Sequence, residues 1–203
     1  MDSRFDGGYK LKSLNLSGEA LMSNPDSSAP DSSAPDSSAT VAFGRECALE
    51  LVAATGVIQH CLKQLNEEQV WARPSESMNS VGNLLLHLCG NVRQWIIAGV
   101  GGAEDTRERQ KEFDERGPIP KADLLSKIEA TIQEAGAVCE ATSEETLLGP
   151  KQIQGFETTG LGAILHSVSH FRGHAQEIVH MSRTMLAESY EFAFVPKSTE
   201  QGA

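Results

Sequence analysis

Three histidines have types and spacing suited to metal chemistry: His87, and the pair His170 and His174. The pair is spaced i, i+4, so on a helix the two imidazoles project from the same side, one turn apart. Two such rings can chelate one divalent ion, and a histidine from a neighbouring helix would complete a three-nitrogen site. Three protein ligands leave one coordination position open for a reacting group, as in catalytic zinc sites. The spacing therefore predicts a metal site that could support chemistry.

Spacing alone leaves the choice of ligand pair open. His166 lies four residues before His170, so the steps 166/170 and 170/174 satisfy the same geometric condition. On helical wheels, both histidine-bearing segments place imidazoles in a narrow polar stripe beside a broad apolar arc. Such a stripe can simply face water. The alternatives are therefore a solvated stripe and a metal site in a cleft between helices.

Polar residues near the histidines are candidates for orienting them. Asn83 and Asn91 lie one helical turn on either side of His87, and Glu177 lies three residues after His174. Metal-bound imidazoles usually donate their second ring nitrogen to a carboxylate, a carbonyl or another oxygen. The same three residues also fit a solvated helix face, so both interpretations stay open.

A charged stretch over residues 105–116 is a second candidate for function. One interpretation is a solvated segment with helical i, i+4 charge pairs. The other is a lid over the site, in which Arg107 or Arg109 binds a substrate carboxylate through its planar, two-pronged guanidinium. Arg93 and Arg172 are weaker candidates because they lie on the far side of their helical wheels from the histidines.

Two other kinds of site fit the sequence less well. A di-iron centre in a helical bundle needs two Glu-x-x-His motifs, and the sequence has one, from Glu177 to His180. A structural zinc site needs a fourth protein ligand. Cys89 is two residues from His87 and therefore about 200° around the helix from it, which makes it a poor fourth ligand. The first mismatch argues against a di-iron centre, and the second favours a site with an open position.

The composition restricts the partners and the compartment. The 203 residues carry 17 Lys and Arg against 28 Asp and Glu, a formal net charge of −11. This acidity argues against nucleic acid and an anionic membrane as main partners, because both are negatively charged. No apolar run reaches the roughly 18 residues of a membrane span, and we expect no secretory signal. Four scattered cysteines without a Cys-x-x-Cys motif indicate reduced, buried thiols, so we expect a cytoplasmic protein.

The chain divides into three parts by composition. Residues 25–39 are three tandem copies of Pro-Asp-Ser-Ser-Ala, and such polar, proline-rich repeats have no apolar surface to bury. We therefore expect a disordered leader over 1–40, a folded domain over 41–190 and a flexible tail over 191–203.

Apolar residues recur at three- and four-residue intervals in four long segments of the folded domain. We expect helices over Phe43–Leu65, from a cap at Asn79 or Ser80 to about Val100, over Lys121–Ala141, and from a cap at Thr158 or Thr159 to about Ala187. No segment alternates long enough to demand a strand. The expected fold class is all-α, a four-helix bundle.

Two stretches resemble the DinB/YfiT-like superfamily of metal-dependent enzymes, and within it a subfamily of unknown function. They are Asn79-Ser-Val-Gly-Asn-Leu-Leu-Leu-His87-Leu-Cys-Gly-Asn-Val-Arg-Gln-Trp95 and Leu165-His-Ser-Val-Ser-His170-Phe-Arg-Gly-His174-Ala-Gln-Glu-Ile178. The resemblance covers about 43–187. It implies an up-down-down-up four-helix bundle and a divalent metal bound by His87, His170 and His174. By the same resemblance, His166 is a neighbour of the site and not a ligand.

The resemblance also implies classes of reaction. Some members of the superfamily use low-molecular-weight thiols as cosubstrates, and others are described as hydrolases. We therefore expect a metal-dependent enzyme that acts on a small molecule, either as a thiol-dependent S-transferase or as a hydrolase. Zinc is the expected metal, and nickel, iron and manganese are the alternatives. A homodimer is a further expectation. One alternative is a non-enzymatic bundle with a structural or sensing ion. Another is an interaction protein with an acidic surface and no metal.

Overall fold

Four long helices make up most of the structure, a computed structural model that describes residues 38–193. In chain order the elements are α1 (Ser38–Gln64), α2 (Glu67–Trp71), α3 (Val81–Val92), a π-helix (Arg93–Ala98), α4 (Arg109–Asp114), α5 (Lys121–Ala141), α6 (Glu144–Leu148), β1 (Pro150–Ile153), β2 (Phe156–Thr159), α7 (Gly160–Leu186) and a 3-10 turn (Ala187–Ser189).

The long helices α1, α3, α5 and α7 form a bundle around one apolar core. Both α1 and α3 pack against α5 and against α7. The largest fully buried side chains come from all four helices and include Phe171, Leu51, Ile58, Leu84, Leu88 and Ile128. The prediction of an all-α four-helix bundle is therefore confirmed, with one small sheet as an addition.

The helix caps decide between the alternatives that the sequence left open. Ser80 caps α3 with a capping box: its Oγ accepts from the backbone N of Asn83 at 3.2 Å, and Asn83 Oδ1 accepts from the Ser80 backbone N at 3.2 Å. Thr159 caps α7, because its Oγ1 accepts from the Gly162 backbone N at 3.1 Å. The two histidine-bearing helices thus begin at defined residues.

The boundaries of the folded part differ slightly from the expected ones. Helix α1 begins at Ser38, inside the segment expected to be the leader, and the side chain of Thr40 is already buried. The other expected leader residues, 1–37, and residues 194–203 of the expected tail lie outside the described part of the chain.

The second expected helix is not regular to its end. After α3 the backbone continues as a π-helix, in which Gly99 N donates to Gln94 O and Gly101 N donates to Ile96 O, both at 2.9 Å. These are i to i+5 bonds, so each turn holds about one residue more than an α-turn. The following side chains are therefore displaced around the axis from where a regular wheel would place them.

A β-hairpin stands where no strand was expected. Strands β1 and β2 pair antiparallel, with Ile153 opposite Phe156 at the turn. The two turn residues, Gln154 and Gly155, have φ values of 53° and 79°, which is the arrangement of a tight hairpin turn that suits glycine. Each strand has only four residues and β1 buries one side chain, Ile153, so the alternation was too short to predict a strand.

The connection from the π-helix to α5, residues 99–120, folds back along α3 and carries α4. Arg73 anchors it, because its Nη2 donates to the carbonyl oxygens of Phe113 at 3.1 Å and Glu115 at 3.3 Å. Trp71 Nε1 donates to the carbonyl oxygen of Ile119 at 3.1 Å. Across residues 38–193, no helix combines the length and apolar content needed to span a membrane.

Candidate metal centre

Helices α3 and α7 bring three imidazoles to one place. His87 comes from α3 and is 6% exposed, while His170 and His174 come from successive turns of α7 and are half-buried. One ligand nitrogen from each ring lies within 4.8 Å of the other two. His87 Nε2 and His170 Nε2 are 2.9 Å apart.

This geometry fits a shared divalent ion. Two nitrogens that bind one ion at about 2.1 Å lie about 3.0 Å apart at a right angle and about 3.4 Å apart at the tetrahedral angle. Burial, followed by the neighbouring imidazoles, lowers the pKa of His170 to about 4. Its ring is therefore neutral near pH 7, as metal binding requires. Among the residues from 39 to 193, no further carboxylate, thiol or imidazole joins this cluster.

The second ring nitrogen of His87 faces a buried carboxylate. His87 Nδ1 lies 2.9 Å from Glu112 Oε2, and an ionised carboxylate can only accept. Nδ1 therefore carries the proton and donates it to Glu112, which leaves the Nε2 lone pair directed at the other two histidines. Arg107 Nη2 also lies 3.2 Å from Nδ1, but arginine only donates, so the partner of the protonated Nδ1 is Glu112.

Arg107 holds Glu112 in its ionised form. Its Nε donates to Glu112 Oε1 at 2.7 Å and its Nη2 donates to Oε2 at 2.9 Å. The side chains of Arg107 and Glu112 are 3% and 10% exposed. Burial acts to raise the pKa of Glu112, but the hydrogen bonds and charges of Arg107 and His87 outweigh it, so the pKa lies below its usual value.

Two features of α3 let the 99–120 connection approach this closely. A methyl group at Gly90 would overlap Glu112 Oε1, so glycine provides the space for the carboxylate. Asn83 Nδ2 donates to the carbonyl oxygens of Glu112 at 2.9 Å and Glu115 at 3.0 Å. The backbone around Glu112 is thereby attached to the first turn of α3.

His174 also contacts a carboxylate, but in a different environment. Its Nδ1 lies 2.6 Å from Glu177 Oε2, one turn further along α7. The side chain of Glu177 is 47% exposed. Water and ions screen such a pair, whereas the pair of His87 and Glu112 is shielded from them.

The two asparagines that were candidates for orienting His87 have other partners. Asn83 serves the cap of α3 and the 99–120 connection, as described above. Asn91 Oδ1 accepts from Ser167 Oγ at 2.9 Å and so ties α3 to α7. In the described part of the chain, neither side chain hydrogen-bonds to an imidazole; that contact belongs to Glu112, which the sequence reasoning did not single out.

The four arginine candidates lie in different places. Arg107 is largely buried, and three of its five N–H groups donate to Glu112 and to Gln94, whose Oε1 accepts from Nη1 at 2.9 Å. Arg109 is exposed and lies over the Phe113 ring at 4.8 Å. On surfaces away from the histidines, Arg93 pairs with Glu134 and Arg172 with Glu50.

Aromatic rings adjoin the imidazole cluster on both sides. The Phe113 ring centre lies 4.9 Å from that of His87. On the other side, the exposed ring of His166 packs at 4.0 Å on Trp95 and stacks at 5.9 Å on His170. Trp95 is buried, and its Nε1 has no hydrogen-bond partner among the described residues. His166 therefore neighbours the cluster but is outside the three-nitrogen group.

Glu112 left a weak signal in the sequence. Phe113 is the one aromatic residue in the charged stretch 105–116, and a lone aromatic residue among charges indicates a turn with one face packed inward. It packs on His87 and brings the adjacent carboxylate with it. The partner of Glu112 on α3 is 25 residues away in sequence, which local spacing could not predict.

Comparison with known proteins gives the family. The family described as "Protein of unknown function (DUF1572)" matches residues 41–199. The structure is similar to that of a DinB-like protein, YjoA, from Bacillus subtilis, with a TM-score of 0.56 and 15% sequence identity, covering 72% of this chain and 96% of that chain; this likeness supports the fold. No curated protein matches the chain. The family match spans most of the folded helices, and the chain belongs to the DUF1572 family.

Proposed function

We propose that this protein is a metal-dependent enzyme whose divalent ion is bound by His87, His170 and His174. The convergence of three imidazole nitrogens within 4.8 Å carries the proposal. Zinc is the first choice, because three neutral nitrogens and one open position are typical of catalytic zinc. Nickel, iron and manganese are the alternatives.

The absence of a fourth protein ligand supports catalysis over a structural ion. Structural zinc sites are normally closed by four protein ligands, and no fourth candidate joins the cluster among residues 39–193. Cys89, two residues from His87, is buried, and burial raises the pKa of its thiol to about 11. A divalent ion bound here would supply Lewis-acid chemistry, lowering the pKa of a water or thiol at its open position.

The surrounding side chains have separate roles in this proposal. Glu112 holds the proton on His87 Nδ1, so that Nε2 stays available for the ion. Phe113 is an apolar wall against His87 that limits the access of water on that side. The guanidinium of Arg109 lies over the Phe113 ring, and Phe113 in turn packs on His87. Arg109 can therefore receive an anionic group of a small-molecule substrate.

The reaction we propose is S-transfer from a low-molecular-weight thiol cosubstrate, with metal-dependent hydrolysis as the second class. Both need a nucleophile activated at neutral pH, which is what an open three-histidine site provides. Four free, buried cysteines support a reducing compartment, and so the cytoplasm. A homodimer is part of the proposal.

Elemental analysis of protein purified without added metal and without a histidine tag tests this function. We expect about one divalent ion per chain, as one three-histidine site predicts. The metal-loaded and metal-stripped proteins are then assayed with a thiol plus an electrophile, and with ester and amide substrates. Metal-dependent turnover supports the proposal, and the substrate that reacts selects the class.

The same preparation separates the alternatives. Unfolding of the bundle on metal removal would contradict the catalytic proposal and indicate a structural ion. A bound ion with no metal-dependent turnover of either substrate class would favour a sensing role. Protein that neither carries nor takes up a divalent ion would overturn the metal site altogether and leave an interaction protein with an acidic surface.

A further inference from the structure

We infer that Glu112 is a positioning residue of the metal site, orienting His87 through its Nδ1 proton and supplying a fixed negative charge behind it. The inference rests on the proposed metal site, but not on any particular reaction. It assigns to the 99–120 connection a part in metal binding, although that connection supplies no metal ligand.

The first observation is the hydrogen bonding of the carboxylate. Both of its oxygens are used: Oε1 accepts from Arg107 Nε at 2.7 Å, and Oε2 accepts from Arg107 Nη2 and His87 Nδ1, each at 2.9 Å. A two-pronged arginine contact fixes the plane of a carboxylate as well as its charge. The direction from which Glu112 accepts the His87 proton is therefore determined by Arg107.

The second observation is that the chain is built to hold this contact. Gly90 leaves the space that Glu112 fills, and Asn83 attaches the Glu112 carbonyl to α3. Gln94 continues the network: its Oε1 accepts from Arg107, and its Nε2 donates to Asp105 at 2.7 Å. Three residues of α3 and its π-helical continuation thus serve to position one carboxylate.

The third observation is the contrast with Glu177. Both carboxylates contact a candidate ligand through Nδ1, at 2.9 Å for Glu112 and 2.6 Å for Glu177. Glu177 is nearly half exposed and has no arginine partner among the described residues, whereas Glu112 is buried with one. An interaction screened by water is worth less than the same interaction in a buried site. The two residues therefore allow a buried and an exposed partner of candidate metal ligands to be compared.

Substitution at Glu112 should weaken metal binding without unfolding the protein. Glu112→Gln keeps an acceptor but loses the charge, and Glu112→Ala loses both. Loss of such an outer partner typically lowers metal affinity by about 10- to 100-fold. We expect a Zn²⁺ Kd about tenfold higher for Glu112→Gln and up to about 100-fold higher for Glu112→Ala, against less than about threefold for Glu177→Gln. Glu134→Gln, which removes an exposed partner of Arg93, controls for loss of one negative charge.

The measurements are Zn²⁺ affinity by competition with a chelator, and the visible absorption spectrum of the Co²⁺-loaded protein, which reports ligand orientation. Circular dichroism establishes that each variant is folded, and Glu112→Gln serves if Glu112→Ala is not. A raised Kd and an altered Co²⁺ spectrum for Glu112→Gln, with both unchanged in Glu134→Gln, support the inference. Equal affinities and spectra for wild type and folded Glu112→Gln would overturn it while leaving the metal site intact. Wild-type protein that binds neither ion would overturn both proposals.

Discussion

His87 is buried on α3 and donates to Glu112, whereas His170 and His174 are half-buried on two turns of α7. The i, i+4 pair can chelate an ion on its own, but only weakly, and His87 makes the difference between two and three ligands. The proposed site therefore depends most on two residues of α3. These are His87, the third ligand, and Gly90, which leaves the space that Glu112 occupies.

We expect His87→Ala to lose the metal and keep the fold. Two neutral imidazoles hold a divalent ion poorly at neutral pH, so metal content should fall from about one ion per chain to below about a tenth. The bundle should stay helical because its core consists of apolar side chains and not of the histidines. Circular dichroism and elemental analysis check this, with the exposed His180→Ala as control. Unchanged metal content in His87→Ala would show that the ligands are different residues.

Gly90→Ala and Gly173→Ala should have opposite effects on stability. A methyl at Gly90 would overlap Glu112, while nothing lies within 4 Å of a methyl at Gly173 on α7. Overpacking costs about 1–3 kcal/mol, and glycine to alanine at an open helical position gains up to about 1 kcal/mol. Urea unfolding measures both changes. Equal stabilities for the two variants would mean that Glu112 can move aside freely.

The two helices that carry the histidines, α3 and α7, each have a side-chain cap at the N-terminus. Ser80 caps the start of α3, and Thr159, the last residue of the hairpin, caps the start of α7. A cap supplies an acceptor for backbone N–H groups of the first turn, which have no partner within the helix, and so stabilises the start of that helix.

Thr159→Ala should destabilise the protein by about 0.5–2 kcal/mol, because the backbone N of Gly162 loses its acceptor. Thr158→Ala is the matched control: Thr158 Oγ1 only donates, at 3.4 Å, to the carbonyl oxygen of Thr159. Thermal unfolding of both variants is the measurement. A larger loss in Thr158→Ala than in Thr159→Ala would contradict the assigned cap.

Residues 38–193 form one helical bundle, and four free cysteines are buried in it. Burial raises the pKa of Cys47 to about 11 and of Cys139 to about 12, with neighbouring charges adding to both shifts. Burial also raises the pKa of the Cys61 thiol, against hydrogen bonds from Ser182 and Tyr190. The folded protein therefore keeps these thiols protonated at a pH where an unfolded chain begins to lose them.

Two consequences follow for the intact protein. At pH 8, iodoacetamide should label the native cysteines slowly and the urea-unfolded cysteines rapidly, as mass spectrometry can show. Fast labelling of the native protein at this pH would contradict the burial of the thiols.

The stability of the protein should also depend on pH. Between about pH 9 and 11 the unfolded chain, with thiol pKa values of about 8.5, releases protons that the folded protein retains. Stability is therefore full below about pH 8 and falls as the pH rises through this window. Urea midpoints at pH 8 and pH 10 measure the fall, and Cys139→Ala should reduce it.

Local features of the sequence were sufficient for the bundle and for the i, i+4 spacing of the histidines on the last long helix. Helical periodicity and i, i+4 spacing depend only on the geometry of a single helix, so Lys121–Ala141 was predicted with the bounds that the structure shows. The choice of His170 and His174 over His166 came from the family resemblance, since spacing alone left it open.

Tertiary structure decided everything that depends on distant segments meeting. The 99–120 connection folds back on α3 and places Glu112 beside His87 and Arg107 beside Glu112. The sequence of this charged stretch is also typical of a solvated segment, so it did not predict these contacts. The hairpin was missed because its strands are four residues long and its turn depends on two positive φ values. A site built by contacts across 25 and 83 residues follows from the packing of α3, α4 and α7, because no local spacing encodes which faces of these helices meet.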